Sequence, residues 1–309
     1  MRILFITSTR IGDAVLSAGL LDHLMQAHPQ ARFTVAVGRV AEGVFRRMPR
    51  LERIIPIEKK RCGLHWPGLW ARVAFRRWDL VVDLRGSAIA WMLPARRRAV
   101  MRGGRRPGHR ILHIAETLGL SPAPRPVAWF GPAEMARAES LLPAGAPVLA
   151  LGPTANWPRK VWPADRFLTL ARMLTGPGGA LEGARIAILG GPGGQERAMA
   201  APVLDGLPGA LDLVGMLDLP EAAAVLARCA LFVGNDSGLM HLSAATGTPT
   251  IGLFGPTPAS EYAPIGARAL AVLAKGPSGA APMGALSATR VAEQAAALLA
   301  RPVAAEEAE

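Results

Sequence analysis

Aromatic residues and cysteine are scarce in this sequence. Only 5% of its 309 residues are Phe, Trp or Tyr, tyrosine occurs once at Tyr262, and the cysteines are Cys62 and Cys229. Two thiols are too few for a disulfide framework and form no metal-ligand spacing, so both read as ordinary thiols in a reducing compartment. No run of ~18 uninterrupted apolar residues occurs, so no transmembrane helix is expected. The apolar run at Ile3–Ile6 is shorter than a signal-peptide core and no small-residue cleavage site follows, so the expectation is a soluble, cytoplasmic chain. The glycine-rich turn at 190–196 is neither a GxGxxG match nor a Walker motif. Basic runs lack interleaved aromatics, and no helix-turn-helix, OB or RRM signature appears, which argues against nucleic acid as a partner.

What is present is a core and an uneven charge. Half of the residues are hydrophobic and 19% are charged, which excludes a largely disordered chain, and the length suits two domains. Residues 1–145 carry 24 Lys and Arg against 10 Asp and Glu, a net of +14, whereas residues 146–309 carry 11 against 13, a net of −2. One basic half beside a near-neutral half suggests two domains with different ligands, the basic one meeting something large and anionic.

Short apolar, β-branched runs at 2–7, 32–37, 54–57 and 80–84 read as strands, and 14–27 has helical periodicity. The pattern restarts at 148–152 and continues through 185–191, 211–214, 231–233 and 250–254. Alternating strands and helices predict parallel sheets, so the expected fold is two Rossmann-like α/β domains, 1–145 and 146–309, facing each other across a cleft. The last helix is left free to pack back on the first domain. Ligands of such sheets sit at the carboxyl ends of the strands.

Four segments could carry chemistry. After the first strand, Gly12 permits a tight turn or close approach of a ligand, and Asp13 either caps the next helix or serves as a general base toward a hydroxyl. In the segment 233–245, a helix starting near Ser237 offers free N–H groups at Ser237 and Gly238 as an anion site. Asp236 there suits sugar hydroxyls, and His241 either faces the cleft or is a buried, hydrogen-bonded histidine. Lys160 precedes a helix expected to begin near Pro163; it neutralises a leaving phosphate or is a solvated loop lysine. Glu196 holds a ribose diol or merely sits in a first helical turn.

These segments, in this order, resemble the lipopolysaccharide heptosyltransferases, glycosyltransferase family 9. The resemblance rests on GlyAsp at 12–13, LysxTrpProxxxPhe at 160–167, the glycine-rich turn with Glu196, and AsnAspSerGlyLeuMetHis at 235–241 followed by ProThrIleGlyLeuPheGlyProThr at 249–257. It implies a GT-B fold and an inverting, metal-independent transfer with no cofactor beyond the nucleotide-sugar substrate, usually ADP-L-glycero-D-manno-heptose. Carried over, Asp13 would be the catalytic base, with Gly12 and Arg10 on the acceptor side. Lys160, Glu196, Leu217, Asp236, Ser237, Gly238 and His241 would bind the donor, Leu217 lying near the adenine. The acceptor would be an anionic lipopolysaccharide core held by the first domain. Where relatives often carry proline in the first helix, this chain reads AlaGly at 18–19. Basic clusters at 46–53 and 96–106 would face acceptor anions or the headgroups of the inner leaflet, giving peripheral membrane association; otherwise they are solvated faces. The rivals are a same-family transferase of another nucleotide sugar to a surface glycan, and a nonenzymatic protein using its basic half to bind. A nucleotide-sugar epimerase is excluded, because no lysine follows Tyr262 at the Tyr-xxx-Lys spacing.

Overall fold

A computed structural model describes residues 1–58, 65–103 and 106–301. The first half runs β1 (Arg2–Ile6), α1 (Ile11–Ala27), β2 (Arg32–Gly38), β3 (Leu51–Ile57), α2 (His65–Val73), β4 (Trp78–Asp83), α3 (Ile89–Met92), β5 (Ala95–Val100), α4 (Arg110–Glu116) and α5 (Pro132–Leu141). The second runs β6 (Val148–Gly152), α6 (Ala164–Thr175), β7 (Arg185–Ile188), α7 (Gly194–Gly206), β8 (Leu211–Asp212), α8 (Leu219–Ala227), β9 (Leu231–Asn235), α9 (Gly238–Ala245), β10 (Thr250–Phe254), α10 (Ala259–Tyr262), β11 (Ala269–Leu273) and α11 (Ala288–Ala300).

The strands form two sheets, ordered β3-β2-β1-β4-β5 and β11-β10-β9-β6-β7-β8, in which every pairing is parallel. This is the expected pair of Rossmann-like units, a GT-B fold. The central strands are buried on both faces, which is why they read as continuous apolar runs. Two edge strands escaped that reading. β5 has the sequence AlaArgArgArgAlaVal, because an edge strand needs no apolar face and benefits from charge against pairing. β11, AlaLeuAlaValLeu, lies at the opposite edge of the second sheet.

Helix α1 starts at Ile11, three residues before its apolar periodicity becomes visible. Its Gly19 is required by packing: a Cβ there would collide with the backbone oxygens of Pro124 and Arg125, so AlaGly at 18–19 lets that later segment cross the helix. Arg50 closes the other end of α1, donating to the carbonyls of Met25, His28 and Pro29. Arg46 donates to Asp218 and Arg47 to Glu134. Three arginines of the 46–53 run are thus engaged by protein groups rather than arrayed toward an outside anion. In the 96–106 run, Arg98 is likewise spent on the carbonyls of Ala90 and Leu93, and Arg106 on Glu116.

The halves are joined by packing. α1 lies against α9, and α5 lies against α8, where Arg228 donates to the carbonyl of Leu142. The final helix α11 packs on α6 of the second sheet's layer instead of returning to the first sheet. Cys229 is a buried free thiol, pushed up to about 12 by burial; Cys62 lies outside the described residues. Among the described residues, no helix is long and apolar enough to cross a membrane.

Candidate active site

The carboxyl ends of the two sheets bring their loops to one place, where the first turns of α1 and α9 cross. The approach is close. A Cβ on Gly238 would stand 2.8 Å from Ile11 Cγ2, and one on Gly12 would stand 3.0 Å from His241 Cδ2. Gly238 therefore faces Ile11 of the other half at this crossing.

Asp13 lies in the first turn of α1 but does not cap it: the capping position is Arg10, and that cap has no side-chain hydrogen bond. Its carboxylate turns toward the cleft instead. Oδ2 accepts from Ser8 Oγ at 3.3 Å, and Oδ1 is 3.5 Å from Arg110 Nε. Arg10 is exposed beside the same cleft, its N–H donating to Ser8 Oγ. Along the wall contributed by the first half runs a cleft of about 300 Å³, lined by Ser8, Arg10, Asp13, Arg85, Arg102 and Arg110 among others.

Across the crossing, Asp236 is nearly buried and accepts from Lys160 Nζ at 2.6 Å and from Thr257 Oγ1 at 2.9 Å. Lys160 and Asp236, which the sequence treats as separate ligand groups, form one ion pair with side chains 17% and 8% exposed. The LysxTrpProxxxPhe segment explains how Lys160 gets there. Trp162 and Phe167 are fully buried, edge to face at 4.9 Å, and each contributes roughly 2–3 kcal/mol of burial. Trp162 N–H donates to Asn235 Oδ1 and its indole N–H to the carbonyl of Leu286. The motif's aromatic residues are a core anchor that holds Lys160 over the end of β9.

Ser237 is the N-cap of α9, its Oγ accepting from Met240 N–H. A helix N-terminus of this kind favours an anion. His241 is buried in the second turn, with Nδ1 lacking a hydrogen-bond partner among the described residues. Burial drives its pKa down to about 4, against the opposing pull of Asp236 and Asp13, so the ring is neutral near pH 7.

Glu196 and Leu217 belong to a second group, at the ends of β7 and β8. Glu196 Oε2 accepts from Gly191 N–H at 3.0 Å, bracing the glycine-rich turn. That turn touches the next one, since Gly215 N–H donates to the carbonyl of Gly190. Leu217 is partly buried against the core.

Several residues of the site carry no sequence signal. Arg110, Arg85 and Ser8 reach it only through the fold. His109 caps α4, accepting from Ile111 N–H on Nδ1, so its Nε2 carries the proton that meets the carbonyl of Ala263 in the other half at 2.9 Å. Thr257 ends the 249–257 motif and could have been found there. Among the described residues, no group of three or more His, Cys, Asp or Glu is arranged to hold a metal ion.

Two Rossmann-like parallel-sheet units meeting at one cleft define the GT-B fold class. The family model described as glycosyltransferase family 9 (heptosyltransferase) matches residues 109–282, more than half of the chain, and the chain belongs to that family. Lipopolysaccharide heptosyltransferase 2 of Salmonella typhimurium is 26% identical over 298 residues, covering 83% of each chain. Among solved structures, the E. coli ADP-heptose LPS heptosyltransferase II superposes with a TM-score of 0.77 at 22% identity, covering 97% of this chain and 98% of that one. E. coli heptosyltransferase WaaC, solved with ADP, gives 0.74 at 20% identity, covering 96% and 100%. At these identities the solved structures speak to the fold.

Proposed function

We propose that this chain transfers heptose from ADP-L-glycero-D-manno-heptose to a lipopolysaccharide inner-core acceptor by a single, inverting displacement. The observation that carries the proposal is the crossing of α1 and α9. It sets the Asp13 carboxylate on one wall, and Lys160, Asp236 and the α9 N-terminus on the other. A sugar hydroxyl is a weak nucleophile, and Asp13 takes its proton during attack. The leaving diphosphate sits at the opposite wall, on the N–H groups of Ser237 and Gly238, with Lys160 neutralising it. Base and leaving group on opposite walls suit attack from the face opposite the departing oxygen, which inverts the anomeric centre without a covalent intermediate.

Asp236 takes heptose hydroxyls, His241 lies beside the diphosphate, Glu196 holds the ribose and Leu217 walls the adenine. Gly12 and Arg10 lie on the acceptor side. ADP as the donor nucleotide is supported by a relative of the same fold having been solved with it. The net of +14 on residues 1–145 supports an anionic acceptor and a peripheral station at the inner leaflet, on the cytoplasmic side.

The test is a thermal-shift panel with ADP, UDP, GDP and CMP, followed by transfer assays on Asp13→Asn. A ligand at ~100 times its dissociation constant adds about 2.7 kcal/mol, so a selective shift with ADP is the expected result. A selective shift with UDP or GDP keeps the transferase and overturns the heptose donor. Asp13→Asn is expected to lose about 10²- to 10⁴-fold in turnover with ADP affinity nearly unchanged. Retained turnover refutes the base.

A further inference from the structure

The cleft beside Asp13 holds more positive charge than its own residues neutralise. Arg10, Arg85, Arg102 and Arg110 line it, and Asp13 is the one carboxylate among its lining residues. These arginines come from four different element ends: before α1, after β4, after β5 and at the start of α4. Arg85 is fixed in place. Buried Asp83 accepts the N–H groups of Arg85 and Ser87, and the Arg85 guanidinium stacks 5.1 Å from the Trp66 ring centroid. Arg110 is held less well. Its Nε and Asp13 Oδ1 are 3.5 Å apart, and both atoms are buried without a hydrogen-bond partner among the described residues. A guanidinium nitrogen and a carboxylate oxygen buried without a hydrogen bond yield readily to a partner that satisfies them better.

We propose that this pocket binds an oxyanion of the acceptor, a carboxylate or phosphate next to the accepting hydroxyl, and that Arg110 exchanges Asp13 for that oxyanion as the acceptor enters. The inference rests on the reading of Asp13 as the base and deepens it. No bond is made or broken in the exchange; the guanidinium moves from one oxyanion to another that it can grip through two parallel N–H donors. Asp13 is thereby released when an anionic acceptor is seated, and stays tied when a neutral one enters. Arg110 is a specificity-determining residue through the pocket and a positioning residue through Asp13.

Calorimetric titration of the full chain tests this without any donor. The probes are three acceptor sugars sharing one ring: the sugar acid, its phosphate-bearing analogue, and the alcohol made by reducing the acid. The protein is expected to bind an anionic sugar more tightly than the alcohol, and the acid and phosphate arms identify which oxyanion the pocket takes. Arg110→Gln is expected to weaken the preferred anion roughly 10- to 100-fold and to leave the alcohol unaffected. Asp13→Asn is expected to bind that anion more tightly, and Asp13→Asn with Arg110→Gln to lose that gain; simple removal of a negative charge beside the pocket would keep the gain in the double variant. Equal binding of anion and alcohol by the unaltered protein overturns the pocket. Anion preference surviving Arg110→Gln overturns the role of Arg110, and unchanged or weaker anion binding in Asp13→Asn overturns the exchange. Turnover of Asp13→Asn judges the base separately, so the two readings fail independently.

Discussion

The two walls of the cleft treat their charged side chains in opposite ways. On the second half's wall, Asp236 is nearly buried and its Oδ2 accepts from both Lys160 and Thr257. On the first half's wall, four arginines and one carboxylate are found among the described residues that line a cleft of about 300 Å³. A buried, paired charge is expensive to disturb, whereas an unneutralised excess of one sign lining an open cleft attracts an anion. The second half therefore offers a preformed site, and the first a site that is completed by its ligand. The first is also where net charge accumulates along the chain.

The sharpest way to break this contrast is to unpair Asp236. Lys160→Ala leaves a carboxylate buried with only the Thr257 hydroxyl for company, and breaking a buried pair costs about 3–5 kcal/mol. Chemical denaturation measures that loss, and donor affinity should fall with it. The paired replacement Lys160→Met with Asp236→Leu is expected to regain most of the stability and none of the activity. If Lys160→Ala is as stable as the parent, the second wall is no more committed than the first.

His241 supplies a second, pH-dependent test. Its folded pKa of about 4 lies below the ordinary value of 6.5, so the unfolded chain binds the extra proton first as pH falls. Stability from this group is complete above pH 6.5 and is lost between pH 6.5 and about 4, by up to about 3 kcal/mol. His109, also lowered by burial, acts in the same direction. Unfolding free energies across that window should fall less steeply in His241→Gln than in the parent. Parallel slopes would show that the ring is not buried neutral.

The crossing that joins the walls is tested by Gly238→Ala. The added Cβ would meet Ile11 Cγ2 at 2.8 Å, and overpacking of this kind costs about 1–3 kcal/mol. Ile11 Cβ would itself stand 2.9 Å away, so the rescue takes Gly238→Ala with Ile11→Gly, which should restore part of the loss. A variant that loses donor binding with no loss of stability would mean that Gly238 serves the diphosphate rather than the crossing.

What could be read from sequence follows the same divide. The central strands announce themselves because burial on both faces leaves no polar alternation, and the start of α9 because Ser237 caps it and Gly238 follows. The edge strand β5 is silent, since its three arginines satisfy an edge and mimic a loop. Asp13, Lys160, Asp236 and His241 were visible because each lies in a short motif. Arg85 and Arg110 were not, because each sits where an element happens to end, and only the sheet order brings β4, α4 and α1 to one cleft. The pairing of Lys160 with Asp236 was likewise out of reach, since 76 residues separate them. Basic runs hide structural arginines. The cluster at 46–53 looked like a surface for anions, yet Arg47 and Arg50 are spent on one carboxylate and three carbonyls.

Arg46 and Arg47 give the smallest effect and the finest comparison. The two are neighbours, and each ends on a carboxylate at 2.6 Å. Arg46 pairs with Asp218, their side chains 53% and 44% exposed, so water competes at both ends and the bond is worth at most about 1 kcal/mol. Asp218 also keeps its own task without it, capping α8 by accepting from Glu221 N–H. Glu134 is only 8% exposed and accepts two N–H groups of Arg47 and the N–H of Gly131. Burial opposes its charge, but those donors hold its carboxyl below the ordinary value. Arg46→Ala should therefore shift unfolding by less than about 1 kcal/mol and vanish into the baseline as salt screens it. Arg47→Ala should cost about 1.5–3 kcal/mol and persist in salt, because it strands a buried carboxylate. Equal, salt-sensitive losses in the two variants would mean that chain position, and not burial, decides which arginines of the basic half are structural.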